Sequence, residues 1–187
     1  MNYHNISYPD MLNGDGLRVV LWLSGCSHHC YNCQNPQTWD DKSGIPFDKS
    51  AKEELYRELA KDYISGLTLS GGDPLYENNL DDVLYLIDEI RLLFPEKTIW
   101  IYTGYEWEYI FNDMFRDKYD HNPQTEEKIL NGRLKIQDII KQCDVLVDGR
   151  YIDSKKDVSL PWRGSSNQRV INVKKSLEQN EVVLLTN

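Results

Sequence analysis

Three cysteines stand within eight residues of a 187-residue chain: Cys26, Cys30 and Cys33, in the stretch WLSGCSHHCYNCQNPQTW (22–39). The spacing Cys-x3-Cys-x2-Cys lets one short loop offer three thiolates to one inorganic centre. Such soft ligands select iron–sulfur clusters, zinc or copper(I) over magnesium or calcium. A cubane cluster ordinarily takes four cysteines, so three leave one iron open to a substrate or cofactor. Structural zinc wants a closed set of four ligands, and His28 or His29 inside the loop could supply the fourth. The residues alone leave both centres open. Simple packing fits less well, because Ser27, His28, His29, Tyr31 and Asn32 between the cysteines are mostly polar.

The thiols are expected to be reduced. The N-terminus MNYHNISYPDM has neither a basic region nor an apolar core, so it is not read as a signal peptide. No apolar run approaches the roughly 20 residues of a membrane span. A cytoplasmic location follows as the expectation, and there closely spaced cysteines mean metal or redox work more often than disulfides. The net charge is −9 and the isoelectric point about 4.9. No basic surface is available to clamp a nucleic acid polymer. Apolar residues at 40% and charged residues at 27% are ordinary for a folded domain, and the length suits a single one over residues 1–187.

The elements that must carry the cysteines alternate. LRVVLWLSG (17–25) reads as a buried strand ending in glycine, and GLTLSGG (66–72) and KTIWIYTG (97–104) as two more. DKSAKEELYRELAKDY (48–63) is helical. In NNLDDVLYLIDEIRLLF (78–94), Leu80, Val83, Leu84, Ile87 and Ile90 follow the i, i+3, i+4, i+7 rule of an amphipathic helix. A helix is expected from near Glu106, and another over 125–143 with an interruption at Asn131-Gly132. DVLVDGRY (144–151) and QRVINVKK (168–175) read as strands, and EVVLLT (181–186) as an edge strand or a loose end. Residues 106–143 form a segment of mixed charge with no motif.

Strands alternating with helices argue for an α/β fold with mainly parallel strands. At about 30 residues per unit the chain holds five or six, short of a full eight-unit barrel, so a partial, open β/α barrel is expected. Parallel sheets place ligands beyond the C-terminal ends of their strands. Cys26 follows the first of these strands, Gly71-Gly72-Asp73 the second and Thr103-Gly104 the third, so the three should share one mouth. Cys143 precedes its strand, at the opposite end, and is expected in the core.

The cysteine spacing after a first strand resembles the signature of the radical S-adenosylmethionine superfamily, and SGGDPL (70–75) resembles its glycine-rich second motif. NGDGLRVVLWLSGC (13–26), CQNPQTW (33–39), IYTGY (101–105), DVLVDGRY (144–151) and WRGSSNQRV (162–170) are similar to the activating enzymes of anaerobic ribonucleoside-triphosphate reductases. The resemblance implies a 4Fe–4S cluster held by Cys26, Cys30 and Cys33, with S-adenosylmethionine chelating the open iron. It implies reductive cleavage to a 5′-deoxyadenosyl radical, which takes a hydrogen atom from a glycine of the reductase large subunit. Gly71, Gly72 and Asp73 are expected to meet the methionine end of the cofactor. Asn32, Cys33 and Gln34 are expected to line the adenosine side. The superfamily often has an aromatic at the position of Asn32, so here a backbone contact replaces stacking.

The cluster and cofactor would carry the chemistry, and no catalytic side chain is assigned. No flavin or nicotinamide motif is visible, so the expected electron donor is an external protein, a flavodoxin. His28 and His29 are read as solvent-facing, Asp144 and Asp148 as structural or substrate-orienting. Arg163 and Arg169 could bind a carboxylate or face the reductase. Oligomeric state, a homodimer included, is not legible in the chain. Two other readings remain: an activase of another glycyl radical enzyme, such as pyruvate formate-lyase, and a non-enzymatic zinc-stabilised binding module.

Overall fold

The computed structural model describes residues 1–111 and 123–185. Seven strands form one sheet in the order β3-β1-β2-β4-β5-β6-β7. They are β1 (Asn2–Asp10), β2 (Arg18–Leu23), β3 (Ile45–Pro46), β4 (Gly66–Gly71), β5 (Thr98–Tyr102), β6 (Val145–Asp148) and β7 (Arg169–Asn172). The four central strands, β2, β4, β5 and β6, run parallel. The flanks are antiparallel: β1 against β2 and β3 on one side, β7 against β6 on the other. The expected parallel α/β core is therefore present, in an open mixed sheet. As expected of an open arrangement, among the described residues no strand joins the two edges.

Alternation along the strands makes two faces. Val19, Leu21 and Leu23 of β2, Leu67 and Leu69 of β4, Ile99 and Ile101 of β5, Leu146 and Ile171 point into the main core. Against them pack α1 (Lys49–Leu59), α2 (Leu80–Leu93), α4 (Pro123–Lys141) and α5 (Val173–Gln179). Each fully buried leucine or isoleucine contributes about 1.5–3 kcal/mol. On the opposite face Trp100, Val145, Val147 and Val170 form a second, smaller cluster, covered by Tyr102 and Trp162. Trp162 meets Trp100 edge-on at 5.1 Å.

Local chemistry explains where the elements stop. The Asp48 carboxylate accepts the amide of Ala51 and caps α1. Asn172 does the same for α5 by accepting from Lys175, so β7 ends there and the strand read through residue 175 turns into a helix. α4 runs without a break through Asn131-Gly132: a glycine inside a helix costs only about 1 kcal/mol, and Ile136, Ile139 and Ile140 anchor the helix to the core. The short α3 (Trp107–Phe111) begins where a helix was expected; the segment that follows it, residues 112–122, lies outside the described residues. Leu184 makes one isolated bridge to Ile171 and no strand. Among the described residues no helix is long and apolar enough to cross a membrane.

Candidate metal centre

The parallel strands end in register. Leu23 pairs with Gly71, Leu69 with Ile101 and Tyr102 with Val147, so the segments that follow β2, β4, β5 and β6 emerge at one rim. The cysteine loop leaves β2 and folds back on itself: Gly25 N–H donates to Thr38 O at 2.7 Å and Cys26 N–H to Trp39 O at 3.0 Å. His29 and Asn32 take left-handed backbone angles (φ 45° and 54°) that curl the loop. Cys33 N–H donates to Cys30 O at 3.1 Å, and the Cys33 sulfur accepts the Asn35 amide at 3.3 Å. All four cysteines are free thiols; the three in the loop are partly exposed.

The donor set suits a cluster. Each cysteine of a cubane holds a different iron, so its sulfurs need not meet at a point as ligands of one ion must. Among the described residues no three His, Cys, Asp or Glu side chains converge on a single ion position. Neither histidine stands as an idle fourth ligand: His28 Nε2 is 2.7 Å from Asp73 Oδ2, and the His29 ring stacks on Trp39 at 4.7 Å. Burial pushes the Cys26 thiol up to about 11, so a metal held there would displace a proton and bind more weakly as pH falls.

The glycine turn is stitched directly to the root of this loop. Gly72 N–H donates to Leu23 O at 2.8 Å and Asp73 N–H to Gly25 O at 2.7 Å. Gly71 takes φ +103°, and a Cβ there would lie 2.7 Å from Leu23 N. At Gly72 a Cβ would lie 2.4 Å from Gly25 O. Only glycine permits this approach of two backbones.

Asp73 is 2% exposed, and donors surround its carboxylate. It accepts from Leu75 N–H at 2.8 Å, from the Thr103 hydroxyl at 2.9 Å and from Gly104 N–H at 3.0 Å, besides facing His28. Its side chain thus ties the ends of β4 and β5 to the cysteine loop. Asn32 and Gln34 are exposed. The Asn32 amide donates to Asp153 at 3.1 Å, which turns its side chain towards the segment after β6. A cleft of about 600 Å³ opens there, lined by Cys30, Tyr31, Arg150, Tyr151, Asp153 and Asn167 among others.

WRGSSNQR (162–169) braces that same segment. Gln168 accepts from Gly164 N–H at 3.0 Å and donates to Gly149 O at 3.0 Å. Asn167 donates to Arg150 O at 2.8 Å. Arg163 donates to Gln168 O at 3.0 Å. Arg169 makes a two-pronged contact with Glu108 at 2.9 and 2.7 Å and reaches Asp148 at 3.0 Å, raising its own pKa and lowering that of Glu108. Asp148, fully buried, also accepts Trp107 N–H at 2.8 Å. Asp144 sits at the other end of β6, bound to Ile99 N–H and Arg91, both at 2.7 Å. Both aspartates are therefore structural and do not share a site. Cys143 is 4% exposed, and its thiol donates to Ile139 O at 3.3 Å, away from the rim.

Residues 12–171 match the family model described as a 4Fe-4S single cluster domain. The chain is 39% identical over 170 residues to the anaerobic ribonucleoside-triphosphate reductase-activating protein of Enterobacteria phage T4, covering 91% of this chain and 93% of that one. It is 38% identical over 172 residues to the protein of the same name from Escherichia coli strain K12, covering 91% and 97%.

The chain belongs to the anaerobic ribonucleoside-triphosphate reductase-activating protein family. Within this activating-protein chain, the structure departs from the sequence reading at His28. Expected in solvent, its side chain is only 12% exposed. The reading also missed Arg150, whose guanidinium donates to the carbonyl of His28. A histidine between two cysteines reads equally well as ligand, surface residue or brace, and nothing local to Arg150 points 122 residues back along the chain.

Proposed function

We propose that this protein activates an anaerobic ribonucleoside-triphosphate reductase by installing a glycyl radical on it. Cys26, Cys30 and Cys33 would hold a 4Fe–4S cluster, leaving one iron without a protein sulfur. When bound, that cluster supplies the electron that splits S-adenosylmethionine into methionine and a 5′-deoxyadenosyl radical able to take a glycine Cα hydrogen.

The chain's own residues bind and orient. The backbone of Gly71 and Gly72, brought close by the absence of side chains, faces the methionine end of the cofactor. Backbone groups at Asn32, Cys33 and Gln34 face the adenosine. Asp73 acts through its hold on the loops rather than by direct contact, since protein donors surround its carboxylate. An external one-electron donor of the flavodoxin class supplies the reducing equivalent. The three thiols call for a reducing cytoplasm.

The observation that carries this reading is the stitching of a three-cysteine loop to a Gly-Gly-Asp turn by Asp73 N–H to Gly25 O, in a chain of the activating-protein family. Reduced, iron-loaded protein mixed with S-adenosylmethionine and the reductase should give a glycyl doublet in electron paramagnetic resonance, and no doublet when any one component is omitted. Methionine formed without a doublet would move the target to another glycyl radical enzyme. A colourless zinc protein with no affinity for S-adenosylmethionine would reduce it to a binding module.

A further inference from the structure

The cluster and its cofactor would be held by different strands, the cysteines by the loop after β2 and the methionine end by the turn after β4. Reactivity then depends on the offset between the two, and a misplacement of about 1 Å can cost on the order of 100-fold. The backbone bonds at Gly25 fix only the root of the loop. Cys30 and Cys33 lie further on, among exposed residues: Ser27, His29, Tyr31 and Asn32 all face solvent.

His28 is the exception, and three strand ends meet on it. From the end of β4, Asp73 Oδ2 contacts its ring nitrogen Nε2 at 2.7 Å. From the end of β5, Tyr105 packs edge-on against the ring at 4.7 Å. Gly104 leaves the space the ring occupies, since a Cβ there would lie 2.4 Å from His28 Cδ2. From the end of β6, Arg150 donates to the His28 carbonyl, and Arg150's own carbonyl is held by Asn167 at 2.8 Å. Ring and backbone of one residue, midway between Cys26 and Cys30, are thus both held.

We propose that His28 is a positioning residue: clamped by Asp73, the Gly104-Tyr105 seat and Arg150, it sets the offset between the cysteine loop and the Gly-Gly-Asp turn. The inference rests on the function proposed above. It gives WRGSSNQR a role as well, because Asn167 and Gln168 support the segment that presents Arg150.

The test uses anaerobically reconstituted full-length protein and S-adenosylmethionine as the probe. His28→Ala should keep about four irons per chain while its affinity for S-adenosylmethionine falls roughly 10- to 100-fold. The change that the cofactor induces in the spectrum of the reduced cluster should shrink with it. His28→Gln, which can still donate to Asp73, should recover most of both. Gly104→Ala, which keeps His28 but fills the seat of its ring, should reproduce the His28→Ala defect.

Wild-type affinity and an unchanged spectral response in iron-loaded His28→Ala would overturn the proposal. So would loss of iron in both His28→Ala and Gly104→Ala, which would make the contact a prop for folding or loading alone. Failure of the wild-type protein to show any cofactor-induced change would count against the proposed function itself.

Discussion

Cys30→Ala is expected to lower bound iron from about four per chain to less than about one, and to take reductive cleavage of S-adenosylmethionine below detection. Cys30 holds the middle of a loop that supplies every candidate sulfur ligand at the rim. No neighbour replaces it: His28 is committed to Asp73, and His29 lies flat on Trp39. Cys26→Ala and Cys33→Ala should behave alike, the latter also removing the sulfur that accepts the Asn35 amide. Cys143→Ala is the control, since its thiol is buried at the far end of β6. Iron and sulfide analysis after anaerobic reconstitution reads all four. Full iron in Cys30→Ala, or loss of iron in Cys143→Ala, would remove the loop from its assigned role.

Arg18→Met should destabilise the fold by about 3–5 kcal/mol, one of the larger single-residue effects a domain shows. Arg18 opens β2 and is fully buried. Its guanidinium donates to Thr68 Oγ1 at 2.7 Å, Asp15 O at 3.1 Å, Leu67 O at 2.5 Å, and both the hydroxyl and carbonyl of Thr98 at 2.9 and 3.0 Å. It also lies over the Trp100 ring at 5.3 Å. One cation thereby joins the N-terminal ends of β2, β4 and β5. Methionine fills much of the volume but strands three carbonyls and two hydroxyls without their donor, and each lost partner of a buried polar group costs about 1–3 kcal/mol. Arg18→Lys should recover only part, because an ammonium cannot fork across two strands. Urea unfolding measures it: the midpoint should fall with an unchanged slope. A midpoint within error of wild type would show that water takes over those bonds.

Much of this was legible in the chain. Strands β2, β4, β5 and β6 are buried on both faces and read as continuous apolar runs, and the glycines after β2, β4 and β5 marked the rim. The edge formed by β1 and β3 was not legible. β1 places only Tyr3 and Ile6 in the core, and register shifts after Tyr3 and Ser7 break its alternation. β3 is two residues long. The end of β7 turned on Asn172 acting as a helix cap, a choice between two local uses of one side chain that the pattern QRVINVKK does not reveal. At the site, the candidate ligands Cys26, Cys30 and Cys33 stand out by their spacing, whereas the braces do not. The contact of His28 with Asp73 spans 45 residues, and its contact with Arg150 spans 122.

The burial of Cys143, the one cysteine outside the loop, gives the protein a built-in gauge. Alkylating reagents attack exposed thiolates, and Cys143 is shielded, with burial pushing its ionisation well up. Metal-free native protein should therefore take up tags in the loop and none at Cys143, with Cys26 the slow site because burial pushes its thiol up to about 11, and cluster-filled protein should take up none. Intact-mass counting of those adducts would read occupancy molecule by molecule, without a spectrum and without turnover.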